Sequence, residues 1–521
     1  MARRAANQNG KEGRFSLGGR ASGVLLHPTS LPGPHGNGDL GPPAAAFADL
    51  LAAGKQRFWQ MLPVGPSGYG NSPYSALSAF AGNPLLVSLE RLAEEGLLDE
   101  APAPLRNTGR VDYAVSGALR GRALRAAFDR FQTGARFAKD RAALQEFSAA
   151  QAHWLPDFAL YSAIKERQGQ KPWVAWPRGL RLREPEELAR AARELARETA
   201  FHRFEQFLFD RQWRALKRAC AARSVGLIGD LPLFVAHDSA DVWAHPRLFD
   251  LDPEGGLSAV AGVPPDYFSS TGQRWGNPLY RWDRMRREGY RFWIDRLALL
   301  LSRFDAVRLD HFIGFVRYWQ IPATAPTAQE GRFRKGPGEE LFAAVRAKLG
   351  ALPLIAEDLG LVTPQVTALR EKLGLPGIKI LQFAFGTDPH ADSFLPHNYP
   401  RASVAYTGTH DNDTTAGWFY EKVGGTRSGK QTHKERRAAL EYLHSDGAEI
   451  HWDMIRGVLA SVAMLAVLPM QDLLGLGDEA RMNRPGTACG NWEWRLTGSQ
   501  ASPRVAARLA KLTELYGRSA R

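Results

Sequence analysis

The stretch AVRLDHF, residues 306–312, reads as a short buried strand that ends in charge. Ala306, Val307 and Leu309 are apolar in the manner of a strand covered on both faces in a parallel sheet. Asp310 and His311 follow at its carboxyl end. Side chains two apart on a strand share a face, about 6–7 Å apart along the chain. Arg308 therefore points the same way as Asp310 and sets a positive charge beside its carboxylate. An acidic residue at the C-terminal end of a parallel strand is placed for nucleophilic work in a barrel or doubly wound enzyme. The plainer alternative is that Asp310 caps the next helix.

Two more stretches repeat the pattern. LPLIAED (352–358) is an apolar run that stops at Glu357 and Asp358, and ASVAYTGTHDND (402–413) is another that stops at His410 and Asp411. Asp310, Glu357 and Asp411 are spaced by 47 and then 54 residues. Such a step accommodates a strand, a helix and two loops, which brings three carboxylates to one rim. Asp358 and Asp413, each followed by a helical-looking segment, are expected to be helix caps.

Toward the N-terminus, ASGVLLHPTSLPG (21–33) is a strand that breaks into a Pro- and Gly-rich loop, and QRFWQMLPVGPSGYGNSPYS (56–75) does the same. The helical stretch PPAAAFADLLAAG (42–54) between them completes a βαβ unit. Residues 84–220 read as mostly helical, longer than a barrel crossover and therefore an insertion. SVGLIGDLPLFV (224–235) resumes the strand pattern and puts Asp230 at its end. A long loop, SAVAGVPPDYFSSTGQRWGNPLYRW (258–282), carries Tyr267, Phe268 and Trp275, which serve either as sugar-stacking surfaces or as the loop's own small core. GIKILQFAF (377–385) and SVAMLAVLPMQDLLGLG (461–477) supply the remaining strands. The strands fall near residues 24, 60, 228, 307, 355, 380, 405 and 467, the eight that a closed barrel with right-handed crossovers needs. A helix over 501–517 closes the chain, and no separate β-sandwich domain follows.

The fold expected is thus α/β, a (β/α)8 barrel with large, mostly helical inserted subdomains. Residues 1–20 are expected as a flexible N-terminus and 21–521 as a single catalytic domain with insertions at about 76–220 and 236–300. A chain of 521 residues with 44% apolar and 10% aromatic residues has the composition of a folded globular protein. No window approaches the uninterrupted apolar run of a membrane span, and the opening MARRAANQNGKEGRFSLGG lacks the apolar centre of a secretory signal. Only Cys220 and Cys489 occur, which argues against a disulfide framework and suits a reducing cytoplasm. The formal charge of +13 is mostly Arg spread over helices such as ALRGRALRAAFDRFQTGARF (118–137), so no nucleic-acid partner is expected.

Two carboxyl groups flanking a glycosidic bond are the minimum for retaining glycoside chemistry, and a third can hold sugar hydroxyls as the ring distorts. Three carboxylates beside His311 and His410 equally suit a Mg²⁺ or Mn²⁺ site, although Arg308 would place a fixed positive charge next to that metal. The 14 Trp and 13 Tyr residues supply the aromatic surfaces that neutral sugars need.

The segments around Asp230, VRLDHF, IAEDLG and TGTHDND resemble the four signature regions of the α-amylase clan. LLHPTSLPG, GNSPYS, GVPPDYFSSTGQRWGNP and RMNRPGTACGNWEWR (481–495) resemble stretches of its amylomaltase, or 4-α-glucanotransferase, family (glycoside hydrolase family 77), so the likeness runs from about 21 to 496. The resemblance implies Asp310 as nucleophile, Glu357 as general acid/base and Asp411 as transition-state stabiliser. It also implies Arg308, His410, Asp230 and Tyr74 around the donor sugar, with Asp266, Tyr267 and Trp275 as further substrate-binding residues. It implies a barrel without the C-terminal β-domain of amylases that moves α-1,4-glucan segments to the 4-hydroxyl of another glucan or of glucose. No metal and no cofactor are expected, nor a membrane; the protein is expected to be a cytoplasmic monomer or homodimer acting on maltooligosaccharides or fragments of starch or glycogen. One departure is visible in GRFRKGPGEELF (331–342), where the family pattern leads one to expect Trp at Phe333. The alternatives are an α-amylase-type hydrolase and a non-catalytic glucan-binding protein.

Overall fold

A computed structural model describes residues 17–265, 271–420, 429–487, 489–498 and 500–519. Among them twelve strands form: β1 (Ala21–Leu25), β2 (Phe58–Gln60), β3 (Gly226–Leu231), β4 (Ala259–Val263), β5 (Gln273–Pro278), β6 (Ala306–Leu309), β7 (Arg317–Pro322), β8 (Arg332–Lys335), β9 (Leu354–Ala356), β10 (Gly377–Ile380), β11 (Ser403–Tyr406) and β12 (Leu465–Pro469). Eight of them close into a parallel barrel in the order β1-β12-β11-β10-β9-β6-β3-β2. Each of the eight sequence positions expected to lie on a strand falls inside one of these.

The barrel strands are short because each is apolar only where it is walled in. β1, β3, β6, β11 and β12 are buried along their whole length. Gly23 of β1 lets β2 approach closely: a Cβ there would lie 2.5 Å from the carbonyl oxygen of Phe58. Helices Pro42–Ala53, Ala196–Ala222, Arg291–Arg303, Glu339–Leu349, Pro364–Leu373 and Ile450–Ala460 precede β2, β3, β6, β9, β10 and β12. Between β10 and β11 the described chain makes only 3₁₀ turns. The closing helix, Pro503–Leu515, packs on Pro42–Ala53, with Gln56 donating to the Thr513 hydroxyl at 2.9 Å. Buried Arg518 then ties the end of the chain to the Ala21 carbonyl at 2.8 Å.

The region 258–282, read from sequence as a loop, contains a hairpin instead. β4 and β5 pair antiparallel, β4 also pairs with β7, and β7 with β8, giving a four-stranded sheet in the order β5-β4-β7-β8 beside the barrel. At Gly262 a Cβ would come 2.1 Å from the carbonyl oxygen of Gln273, so the hairpin closes only around a glycine. The sheet escapes sequence reading because β8 is exposed throughout and β5 is mostly polar and only partly buried, which removes the apolar alternation.

Candidate active site

β3 and β6 run in register with Asp230 opposite Arg308, and β6 and β9 with Leu309 opposite Ala356. Parallel pairing therefore carries Asp230, Asp310 and Glu357 to one end of three adjacent strands. The ladder continues past them: Asp310 N donates to Leu231 O and Glu357 N to Leu309 O, each at 3.0 Å. β11 ends at Tyr406, and the turn after it presents His410 and Asp411. The loop after β2 supplies Tyr74 from a 3₁₀ turn that begins at Ser72 and Pro73.

On one side of this rim the polar groups satisfy one another. Arg308 Nη1 donates to both oxygens of Asp230, at 2.9 and 2.8 Å, and to Asp310 Oδ1 at 2.9 Å. The shared strand face expected for Arg308 and Asp310 is thus realised, and Asp230 completes the group. Tyr74 donates its hydroxyl to Asp230 Oδ2 at 2.9 Å and lies stacked on His410, with centroids 5.2 Å apart and planes 15° apart. Burial pushes the Asp230 carboxyl up against the pull of Arg308, with the charge of Asp310 adding to the rise. Burial and then Asp230 push the Tyr74 phenol well up, so it remains a donor. Tyr74 thus links the Asp230–Arg308–Asp310 group to His410, the residue before Asp411.

Glu357 is held differently. Its Oε2 accepts the His311 N–H at 2.6 Å and its Oε1 the Leu359 N–H at 3.0 Å. The first bond depends on His311 taking a left-handed conformation, φ 52°. That conformation costs a non-glycine residue roughly 1–2 kcal/mol, and here it turns the chain sharply out of β6 onto the carboxyl group. Burial first, and then the charge of Asp310, push Glu357 up to about 8, against Arg308 and the two backbone donors. At neutral pH Glu357 is therefore a proton donor beside Asp310. The His311 ring is pushed down to about 4 by burial, so it carries no charge there.

Asp411 draws on a part of the chain that no pattern had singled out residue by residue. Asn483 Nδ2 donates to its Oδ1 at 2.6 Å, and Arg481 Nη2 donates to its backbone carbonyl at 2.9 Å. His410 Nε2 lies 3.4 Å from its Oδ2. Trp492 closes this side, with its ring 5.8 Å from that of Tyr74 and 6.0 Å from that of His410. Asn483, Arg481 and Trp492 all lie in the segment 481–495. They sit on irregular backbone after β12, where neither apolar period nor strand end marks a functional side chain. One small cleft is lined by His27, Ser30, His410, Asp472 and Arg481. Another is lined by Tyr74, Asp230, Phe234 and Arg296.

The rings of Trp275 and His311, the residue whose N–H holds Glu357, meet edge to face with centroids 4.9 Å apart and planes at 88°. Trp275 is 38% exposed. Asp266, Tyr267 and Phe268 lie outside the described residues. Asp358 is not a helix cap: its Oδ1 accepts the Ile378 N–H at 2.9 Å and Arg370 Nε lies 3.2 Å from its Oδ2, so it braces β10, while Thr363 precedes the helix 364–373. Asp413 accepts the N–H of Thr414, and it is the Thr414 hydroxyl that accepts the N–H three residues on, from Gly417, as a cap does. Among the described residues no group of three or more His, Cys, Asp or Glu side chains is gathered as a metal ion requires.

Residues 26–501 match the family described as 4-alpha-glucanotransferase. The chain is 51% identical over 505 residues to a 4-alpha-glucanotransferase of Thermus thermophilus, across 95% of this chain and 98% of that relative. It is 48% identical over 508 residues to one of Synechocystis sp., across 96% and 98%. Among solved structures it is similar to the amylomaltase from Streptococcus agalactiae in complex with acarbose. That likeness has a TM-score of 0.90 and 37% identity, over 96% of this chain and 100% of that one.

Proposed function

This chain belongs to the 4-alpha-glucanotransferase family, and from that premise we propose that it moves α-1,4-glucan segments between chains by a retaining double displacement on Asp310. In the first half, an Asp310 oxygen attacks the anomeric carbon while Glu357 gives its proton to the departing glycosidic oxygen. In the second half, Glu357, now a carboxylate, takes the proton of an acceptor 4-hydroxyl whose oxygen attacks the same carbon and frees Asp310. Asp411, oriented by Asn483, holds sugar hydroxyls as positive charge develops on the ring. Arg308, Asp230, Tyr74 and His410 frame the donor glucose, and Trp275 faces the acceptor.

The observation that carries this reading is the placement of Glu357, buried at the end of β9 beside β6, which leads into Asp310, and held by the N–H groups of His311 and Leu359. Burial next to Asp310 raises its pKa, so it keeps its proton until the bond breaks. The Streptococcus agalactiae amylomaltase in complex with acarbose supports a saccharide ligand here. The same reading treats residues 21–521 as one catalytic domain with segments 76–220 and 236–300 inserted. It places the protein in the cytoplasm, which is supported by Cys220 and Cys489 both being free thiols. Among the described residues no helix is long and apolar enough to cross a membrane.

The test is incubation with pure maltotriose and chromatography of the products. Transfer yields glucose together with a ladder of longer maltodextrins and few new reducing ends. Glucose and maltose alone, with a reducing end gained for every bond cut, identify a hydrolase.

A further inference from the structure

We propose that the four-stranded sheet beside the barrel carries an outer part of the acceptor site, where Tyr318, with Arg334 and Gln320 at its edge, holds glucose units of an acceptor glucan beyond Trp275. The inference rests on the transglycosylase reading and adds to it the residues that set preference for acceptor length.

The direction of the acceptor chain follows from Glu357. The sugar oxygen that leaves, and later the one that enters, must lie at this carboxyl group, whose Oε2 is held by the His311 N–H. Asp230, with Tyr74 bonded to it and His410 stacked on Tyr74, lies on β3, across β6 from Glu357 at the end of β9, so an acceptor at Glu357 passes His311, whose ring meets Trp275. Trp275 and Tyr318 both rest on Phe234, with centroids 6.5 and 6.2 Å from it, and Phe234 itself is buried. The two rings therefore follow one another along the inner face of the sheet.

The register assigns the neighbours of Tyr318. β7 and β8 pair with Tyr318 opposite Arg334 and Gln320 opposite Arg332, and residues two apart share a face. Tyr318, Gln320, Arg332 and Arg334 thus line one side. The Nε of Arg334 donates to Gln320 Oε1 at 2.6 Å, and that of Arg332 to the same oxygen at 3.3 Å. A guanidinium has five N–H donors and an amide two, so this arrangement fixes the groups while leaving donors for a ligand. Among the described residues no carboxylate forms an ion pair with either arginine. The Tyr318 hydroxyl is held in its protonated form by burial, against the pull of Arg334.

The other face of the sheet already has an explanation for its aromatic side chains. Trp319 meets Phe333 edge-on at 4.7 Å, Arg317 covers Phe333 at 4.0 Å, and the Trp319 N–H is spent on Ala328 O at 2.8 Å. On the inner face, a half-buried tyrosine ring flanked by guanidinium and amide donors has the composition that recognises a neutral, polyhydroxylated ring: an aromatic surface for its apolar side and polar groups for its hydroxyls. A transferase gains from such a stretch, because an acceptor held in attack geometry is what lets it compete with water.

The experiment uses the full chain and α-maltosyl fluoride as donor, with glucose and maltotetraose as acceptors. It reads the ratio of kcat/KM for maltotetraose to that for glucose. Tyr318→Ala lowers this ratio about tenfold, the scale of one aromatic contact, Arg334→Met lowers it about threefold, and Tyr318→Phe keeps it within about twofold of the original protein. A ratio unchanged in both Y318A and R334M, or an equal loss on the two acceptors, overturns the proposal and leaves Tyr318 as packing on Phe234. Should Y318A fail to fold, R334M decides alone, since Arg334 is exposed. If the original protein transfers to neither acceptor, the transglycosylase reading itself is what fails.

Discussion

The two sides of the Asp310–Glu357 pair are built by opposite means. On the side proposed for the donor Arg308 reaches Asp230 and Asp310, Tyr74 reaches Asp230 and stacks on His410, and Asp230, Arg308 and His410 are all buried. On the side proposed for the acceptor Trp275 leans on His311 from an accessory hairpin and is 38% exposed. A closed network with no freedom suits a position where one glucose must always be distorted in the same way. An open aromatic edge suits a position that admits acceptors of different length and must also shed water.

Asp310 stands between the two sides, so its removal breaks both. Asp310→Ala should lower turnover by about 10⁴-fold or more on every substrate, because no other nucleophile reaches the anomeric carbon. Its far-UV spectrum should match the original protein. Trapping with a 5-fluoro glucosyl fluoride and peptide mass spectrometry should label Asp310; label on Glu357 or Asp411 reassigns the nucleophile.

Glu357 serves the bond between the sides, and its loss should be graded by the leaving group. Glu357→Gln should cost roughly 10²–10⁴ in rate on natural glucans and far less in the first step on a glucosyl fluoride. Equal losses on both donors contradict the acid role. The pH dependence has a definite sign. The folded protein keeps the Glu357 proton up to about 8, whereas the unfolded chain releases it near the ordinary 4.5, so stability falls as pH rises between those values. The melting temperature of E357Q should therefore gain on that of the original protein from pH 5 to pH 9, and kcat/KM of the original should decline through pH 8. A constant gap in melting temperature refutes the raised pKa of Glu357.

The smaller predictions separate the sides. Tyr74→Phe removes one hydrogen bond to a buried carboxylate and should slow all donors about tenfold, whatever the acceptor. Trp275→Ala should leave donor cleavage nearly intact and raise the ratio of hydrolysis to transfer about threefold, measured as reducing ends released per bond cut. If Y74F changes acceptor preference, or W275A slows cleavage without changing that ratio, the division into a rigid donor side and an adaptable acceptor side does not hold.

The barrel was readable because its strands are compact, mostly apolar runs, and the rim position of Asp310 and Glu357 because two such runs stop at an acid, while Asp411 follows in the turn after β11. A strand buried on both faces states its own fate in a few residues, and its end marks the rim. The sheet of β4, β5, β7 and β8 was not readable. Its strands are short and partly exposed, and β4 finds its partner β7 across the whole of β6 and the helix before it. Asp358 looked like a cap because a helix follows it, yet the amide it meets is that of Ile378, on a strand that only the barrel brings near.

Chain order alone thus settles which strand-end side chains reach the rim, since alternation and strand ends are local properties of the backbone, while Asn483 and Trp492 come to it from irregular backbone. The acidity of Glu357, the anchoring of Asp411 by Asn483 and the pairing of Tyr318 with Arg334 belong to the tertiary structure. Each depends on desolvation or on partners from distant segments, and neither the dielectric around a carboxyl group nor the register of a far strand is written in its own neighbourhood.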